Sequence, residues 1–427
     1  MKALVLAHGT RGDVQPYAAL AVAMRDAGHD VLLGAPAAFA PLAEPYGLPF
    51  AALHDGPNTL MDDPQIRQAI DTNYRGVRGK LTAVEVIRRT KPLMARVLGD
   101  MATAAAGGAD VVVHPPGIPA HHLAERMGVP AVPACMQPVW VPTRTFRNPM
   151  IPLPLPKALN RASYRLLVLA LRTMAGLGDT WRADTLGLPR RRRQRDILRR
   201  PDGGPATVLH GFSRHLLPEP LDYPESVHTT GFWFLPAARD WVPSQGLTDF
   251  LAAGASPVSI GFGSMAGTDP GRIGRVVTDA VRLAGVRAVL VTGWGGIDPT
   301  DLPDDVLVLD QAPHDWLFPR MAANVHHGGS GTTGAALAAG RPQVVCPFVA
   351  DQPFWAARAH AMGVSPAPQP QRRLTPDGLA TSIRQAVTDD TMAARASRLG
   401  DLIRAEDGVH HAVRIIEATV ERQVRSL

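Results

Sequence analysis

Short β-branched runs, each followed by a helical stretch, recur through both halves of the chain, and this alternation constrains the fold more than any other feature. The first unit reads as a strand (Ala3–Ala7), a loop (His8–Gln15), a helix entered at Pro16 and closed at Gly28, and a second strand (Asp30–Gly34). Proline suits a first helical turn, where its missing N–H costs nothing, and glycine suits the left-handed residue after a last turn. Further strands are predicted at Ala109–His114 and Val129–Ala134, then at Val258–Phe262, Val286–Thr292, Val306–Leu309, Ala323–His326 and Gln343–Pro347. Such alternation builds parallel sheets covered by helices on both faces. A length of 427 residues exceeds one ordinary core and suits two. The Pro- and aromatic-rich run Gly231–Ser244 separates them. The expectation is an α/β protein of two Rossmann-like, doubly wound domains: residues 1–235, a linker at 236–246, and residues 247–427, whose last helix can pack back on the first domain. The carboxyl ends of both sheets would then face a central cleft, the default ligand site.

The net charge of +6 arises in one place, since Arg190–Arg200 carries seven arginines against the single Asp196. No aromatic residues are interleaved with this run, so it is not a nucleic-acid footprint. A solvated helix face or loop lip is its plain reading, and contact with an anionic membrane surface or an acidic acceptor is the alternative. Cys135 and Cys346 are far apart in apolar surroundings and suit reduced thiols in a cytoplasmic protein. Met1–Ala7 is too short for a signal peptide and shaped like a first strand. The most apolar long stretch, Tyr164–Gly178, is broken by Arg165 and Arg172, so no transmembrane segment is expected.

The most informative segment is Val325–Gln352, VHHGGSGTTGAALAAGRPQVVCPFVADQ, which follows a strand and opens a helix. Backbone N–H groups of Gly328, Gly329, Ser330, Gly331, Thr332 and Thr333 would converge at that helix N-terminus, where the dipole and unpaired donors favour a phosphate. A neighbouring histidine can add a bond to a phosphate oxygen. Upstream, Gln311–Pro319 reads QAPHDWLFP, and its Trp316 offers a flat face to a nucleotide base.

Together these segments resemble the nucleotide-sugar signature of the glycosyltransferases with the two-domain GT-B fold, closest to the sterol, glycopeptide and antibiotic branch. The resemblance implies a C-terminal donor-binding domain. Its register matches the family histidine to His327, because Gly340 and Pro342 then fall on the family's Gly and Pro. Thr332 and Thr333 take phosphate positions, Asp351 and Gln352 hold sugar hydroxyls, and Trp316 stacks the base beside Gln311. His326 reads as a strand-end neighbour that can join the donor site. Gly263 and Ser264, in the run Gly261–Ser264, resemble the family's second donor-phosphate loop.

The third block is His8–Pro16, HGTRGDVQP. Many relatives carry Gly-His in this turn with the histidine as catalytic base; here the pair is Gly12-Asp13, a substitution that resembles the sterol and glycopeptide type. Asp13 is the expected general base, accepting the acceptor hydroxyl proton, with helix capping as its structural alternative. His8 is the second titratable side chain on this loop. Between the blocks no diagnostic motif appears, and His114, Gln137, Trp140 and Phe146 are acceptor-side candidates. No Asp-X-Asp pair occurs in the chain, so no metal is expected and the helix terminus, His327 and threonines would meet the diphosphate charge. The nucleotide diphosphate sugar is a co-substrate, with no cofactor.

Two other classes remain. Gly261, Gly263 and Gly267 form a weak dinucleotide fingerprint, but Val286–Thr292 lacks the acidic residue an oxidoreductase would place after the next strand. A non-catalytic nucleotide-sugar binder would not need Asp13.

Overall fold

The computed structural model describes the chain except residues 64, 67–75, 152–153, 172–174, 191–195, 264–268, 294–296, 298–301 and 426–427. It divides into two compact units, one of Met1–Arg214, Pro218–Leu235 and Asp407–Leu427, the other of His215–Leu217 and Pro236–Glu406.

The first unit is built on a seven-stranded sheet: β1 (Lys2–Leu6), β2 (Asp30–Pro36), β3 (Phe50–Leu53), β4 (Val111–His114), β5 (Ala131–Cys135), β6 (Val208–His210) and β7 (Val227–Thr229). The spatial order is β3-β2-β1-β4-β5-β6-β7, and neighbouring strands pair in parallel. Val111, Val112 and Val113 are each 0% exposed, as expected for a strand buried on both faces. The direction of winding reverses between β1 and β4, and that switch point opens a crevice at the carboxyl ends of these strands. The C-terminal helix Gly408–Arg425 belongs to this unit. Ala412, Val413 and Ile416 enter the same core as Leu20 and Met24, and His29 pairs with Glu417 at 2.8 Å. A Cβ at Gly408 would lie 2.6 Å from the Gly231 backbone, so only glycine lets the helix start so close.

The first helix runs Arg11–Asp26, starting five residues before Pro16. Thr10 is its N-cap and Asp13 its third residue, and the two close a capping box. The strong N-terminal box overrides the start signal of Pro16, which sits inside the helix.

The second unit carries β8 (Val258–Gly261), β9 (Ala288–Val291), β10 (Val306–Leu309), β11 (Asn324–His326) and β12 (Gln343–Val345) in the order β10-β9-β8-β11-β12, again parallel. Its winding reverses between β8 and β11. Among the described residues no helix is long and apolar enough to cross a membrane.

Candidate active site

In the first unit the crevice beside β1 and β4 holds a cavity of about 260 Å³. His8 and Asp13 from the turn after β1 line it, with Pro115 and Gly117 after β4, and Met136, Gln137 and Trp140 after β5. Asp13 Oδ2 accepts from the Thr10 backbone N–H at 2.8 Å and from Thr10 Oγ1 at 3.0 Å, and the Gln137 side chain hydrogen-bonds the same carboxylate. Burial nevertheless raises the Asp13 pKa above the ordinary carboxylate value, the hydrogen bonds from Thr10 and Gln137 opposing it. Gly9, at φ +133°, is obligatory, since a Cβ there would fall 2.5 Å from Asp13 Oδ2.

Burial lowers the His8 pKa, so its imidazole is neutral near neutral pH. The His54 backbone opposes that shift, and Nε2 is buried against Gly56 with no partner among the described residues. Two other acceptor-side candidates lie elsewhere. His114 is 1% exposed, bonded to the Pro115 carbonyl through Nδ1, and Phe146 is 7% exposed; neither lines the cavity. His114 ends strand β4 and Phe146 lies on the loop after β5, and both side chains are buried. Sequence reading missed Tyr17, which lines the cavity and anchors its hydroxyl on the Ala134 carbonyl at 2.6 Å. Its helical spacing gives only the signal of a core residue.

In the second unit the switch point brings the turn after β8 beside the turn after β11. A Cβ at Gly263, which has φ +60°, would sit 3.6 Å from His327 Cε1. Ser264 lies outside the described residues. Helix Ser330–Ala338 begins here, and its N-cap, Gly329, has no side chain to satisfy the first-turn N–H groups. Two polar atoms, His327 Nδ1 and Thr333 Oγ1, are buried without a partner among the described residues. Such groups cost free energy unless a ligand or water meets them. Burial lowers the His327 pKa to about 3, with His326 and His314 adding to the effect, so His327 is a neutral hydrogen-bonding group.

The neighbouring His326 does a different job. Its Nε2 meets Gln343 Oε1 at 2.7 Å and its Nδ1 accepts from Gly328 N at 3.0 Å, so both nitrogens shape the turn that carries His327. Thr332 and Gly331 stand in the first turn of the helix. Gln352 Oε1 accepts from Phe348 N and Val349 N at 2.7 and 3.1 Å, and Asp351 Oδ2 accepts from Trp355 Nε1 at 2.7 Å, fixing that loop. Trp316 lies in the short helix His314–Leu317, with the Arg320 guanidinium 4.1 Å over its ring and Trp241 at 5.3 Å; Gln311 is exposed on the loop before it.

Residues 3–141 match the glycosyltransferase family 28 N-terminal domain, and residues 288–418 match the erythromycin biosynthesis protein CIII-like C-terminal domain. The chain is 37% identical over 437 residues to the O-mycaminosyltylonolide 6-deoxyallosyltransferase of Streptomyces fradiae, covering 99% of this chain and 98% of that protein. It is 33% identical over 432 residues to a sterol 3-beta-glucosyltransferase of Arabidopsis thaliana, covering 97% of this chain and 65% of that longer protein. A fungal sterol 3-beta-glucosyltransferase from Cryptococcus neoformans is matched over only 27% of its length. Among solved structures, the kitacinnamycin glycosyltransferase superposes with a TM-score of 0.68 at 20% identity, covering 98% of each chain. SsfS6 of Streptomyces sp. SF2575, solved with thymidine diphosphate, superposes with a TM-score of 0.62 at 20% identity, covering 98% of this chain and 99% of that one. The chain belongs to the GT-B glycosyltransferases, in the branch that contains macrolide and sterol enzymes. It is an enzyme of glycosyl transfer.

Proposed function

We propose that this enzyme transfers a hexose from a uridine or thymidine diphosphate sugar to a hydroxyl of a lipophilic small molecule, a sterol or a macrolide-type polyketide, with inversion at the anomeric carbon. The observation that carries the reading is the Asp13 carboxylate lining a cavity at the switch point of the first unit, with a pKa raised by burial. Such a group is a stronger base than a solvated carboxylate.

In this reading the acceptor oxygen attacks the anomeric carbon as its proton passes to Asp13, and the bond from that carbon to the diphosphate oxygen breaks. One displacement gives one inversion. Negative charge grows on the leaving diphosphate, where the first-turn N–H groups of helix Ser330–Ala338, His327 and Thr333 supply donors without a metal. Trp316 stacks the base, and Asp351 and Gln352 hold the sugar. The acceptor class rests on the deoxyallosyl and sterol glucosyl transferases that the chain resembles, and the donor class also on the thymidine diphosphate held by a protein of the same fold. Two buried thiols, Cys135 and Cys346, suit a cytoplasmic setting.

The test is a matrix of uridine and thymidine diphosphate hexoses against sterol and macrolide alcohols, in buffer containing excess EDTA, read by mass shift and then by NMR of the anomeric proton. Expected is a glycoside of opposite anomeric configuration to the donor. A product of retained configuration, or turnover that needs a divalent cation, would overturn the mechanism; donor binding without transfer would favour the non-catalytic reading.

A further inference from the structure

The turn after β11 uses one of its own donors internally. Gly328 N, one of the backbone groups expected to meet a phosphate, donates to His326 Nδ1 at 3.0 Å. A backbone N–H can only donate, so Nδ1 is bare, and a neutral imidazole then carries its single proton on Nε2. Burial keeps the ring neutral: His326 is 1% exposed and its pKa is lowered to about 4. The Nε2–H accordingly donates to Gln343 Oε1 at 2.7 Å. A proton on Nδ1 would instead stand against the Gly328 N–H, and that bond would be lost. Gln343 therefore selects the tautomer.

The fold tolerates an unpaired group to keep it there. Gln343 is 0% exposed, and its Nε2 has no partner among the described residues. A buried amide in that state is destabilising, and an apolar side chain would avoid it. The polar row continues across the sheet, where Asn324 on β11 is the register partner of both Gln343 on β12 and Ser259 on β8. Ser259 Oγ donates to Asn324 Oδ1 at 2.7 Å, and Asn324 Nδ2 is also without a partner among the described residues. Within this row Gln343 is the member that bonds His326.

The effect reaches His327 through the backbone. Gly328 has φ +86°, and a Cβ there would lie 2.8 Å from Val345 Cγ1, so the bond to His326 holds a left-handed turn pressed on the end of β12. A Cβ at Gly329 would lie 2.6 Å from His327 Nε2, so the His327 ring packs on the next stretch of the same turn, with its Nδ1 unpartnered.

We propose that Gln343 is a positioning residue for the nucleotide diphosphate: by fixing the His326 tautomer it holds the Gly328 N–H, and with it the backbone that presents His327 and the first turn of helix Ser330–Ala338. It acts through His326. The inference rests on the reading of this turn as the donor site.

The wild-type protein with 15N-labelled histidine, its His326 signals assigned by comparison with His326→Gln, is read by long-range proton–nitrogen NMR. A protonated Nε2 and a bare Nδ1 are expected, and the reverse tautomer would overturn the proposal. Calorimetry with free uridine and thymidine diphosphate follows. Gln343→Met keeps the side-chain length and removes the acceptor, so it should bind the nucleotide ~5- to 10-fold more weakly, the weight of one hydrogen bond. It should melt close to wild type, because the unpaired amide is lost as the His326 Nε2–H becomes unpaired. Ser259→Ala should do the reverse, melting lower while binding the nucleotide normally. Wild-type affinity in Gln343→Met would overturn the proposal alone, and so would an equal loss in Ser259→Ala, which would mean that the row acts only through stability. A wild-type protein that binds neither nucleotide would overturn the donor reading, and this inference with it.

Discussion

Thr10 grips the carboxylate of Asp13 at one oxygen, through its backbone N–H at 2.8 Å and its hydroxyl at 3.0 Å. The residue proposed as base is thus also the one that closes the capping box of helix Arg11–Asp26. Asp13→Asn separates the roles, because an amide oxygen still accepts from Thr10 but cannot take a proton. The variant should lose no more than ~1 kcal/mol of stability while transferring sugar at least ~100-fold more slowly at saturating substrates. Turnover within a few-fold of wild type would move the base to His8, which lines the same cavity.

Gln137 offers a test by pH. Its side-chain hydrogen bond to Asp13 favours the charged form and so lowers a pKa that burial raises. Removing the donor in Gln137→Leu should raise that pKa further. A base works only when deprotonated, so activity is lost as pH falls through its pKa, and the acidic limb of kcat/KM should move to higher pH. Well above that limb the rate should stay within a few-fold. A limb that does not move would mean that Gln137 does not tune Asp13.

These side chains show where sequence reading stops. Val111–Val113 and Val258–Ile260 are visible as strands because β-branched runs buried on both faces leave a continuous apolar signature. Phe50–Leu53, Val208–His210 and Val227–Thr229 hold no continuous β-branched run, and pairing with their neighbours makes them strands. The two glycine-bearing turns are legible as tight strand-to-helix turns because few other sequences fit them. Which of His326 and His327 keeps a free nitrogen is not legible, since it depends on Gln343, seventeen residues away and in reach only once β11 and β12 pair. Likewise Gln137 meets Asp13 only because β5 ends beside the crevice.

Trp316 is the test of the base site. Arg320 covers part of its ring and also donates to the Trp316 carbonyl at 2.6 Å, which holds the indole in place. If the ring stacks a pyrimidine, Trp316→Ala should cost ~1 to 3 kcal/mol in binding of the free nucleoside diphosphate, measured by calorimetry. Turnover at saturating donor should change little, since stacking is the same in ground and transition states. Unchanged affinity would assign the indole to packing against Trp241 alone.

The last prediction concerns acid. His114, His210 and His326 are each 1% exposed, and burial lowers their pKa values to about 4, about 3 and about 4. In the unfolded chain each would titrate near ~6.5. Below that value the unfolded state binds protons that the folded state refuses, so stability is full above ~6.5 and is lost progressively as pH falls toward about 4. Each histidine should contribute ~1.4 kcal/mol per pH unit across that window. Ordinary carboxylates stay ionised down to about pH 5, so melting curves between about pH 7 and 5 isolate the histidines. Asp13, with its raised pKa, acts in the opposite direction for a single proton. Melting temperature should therefore fall on acidification. His210→Gln should make the fall shallower, because it removes the titration while offering Thr229 a hydrogen-bonding amide in place of the ring nitrogen 3.2 Å away. A melting temperature that stays flat to pH 5, or a His210→Gln protein with the wild-type slope, would show that these imidazoles reach protons without unfolding.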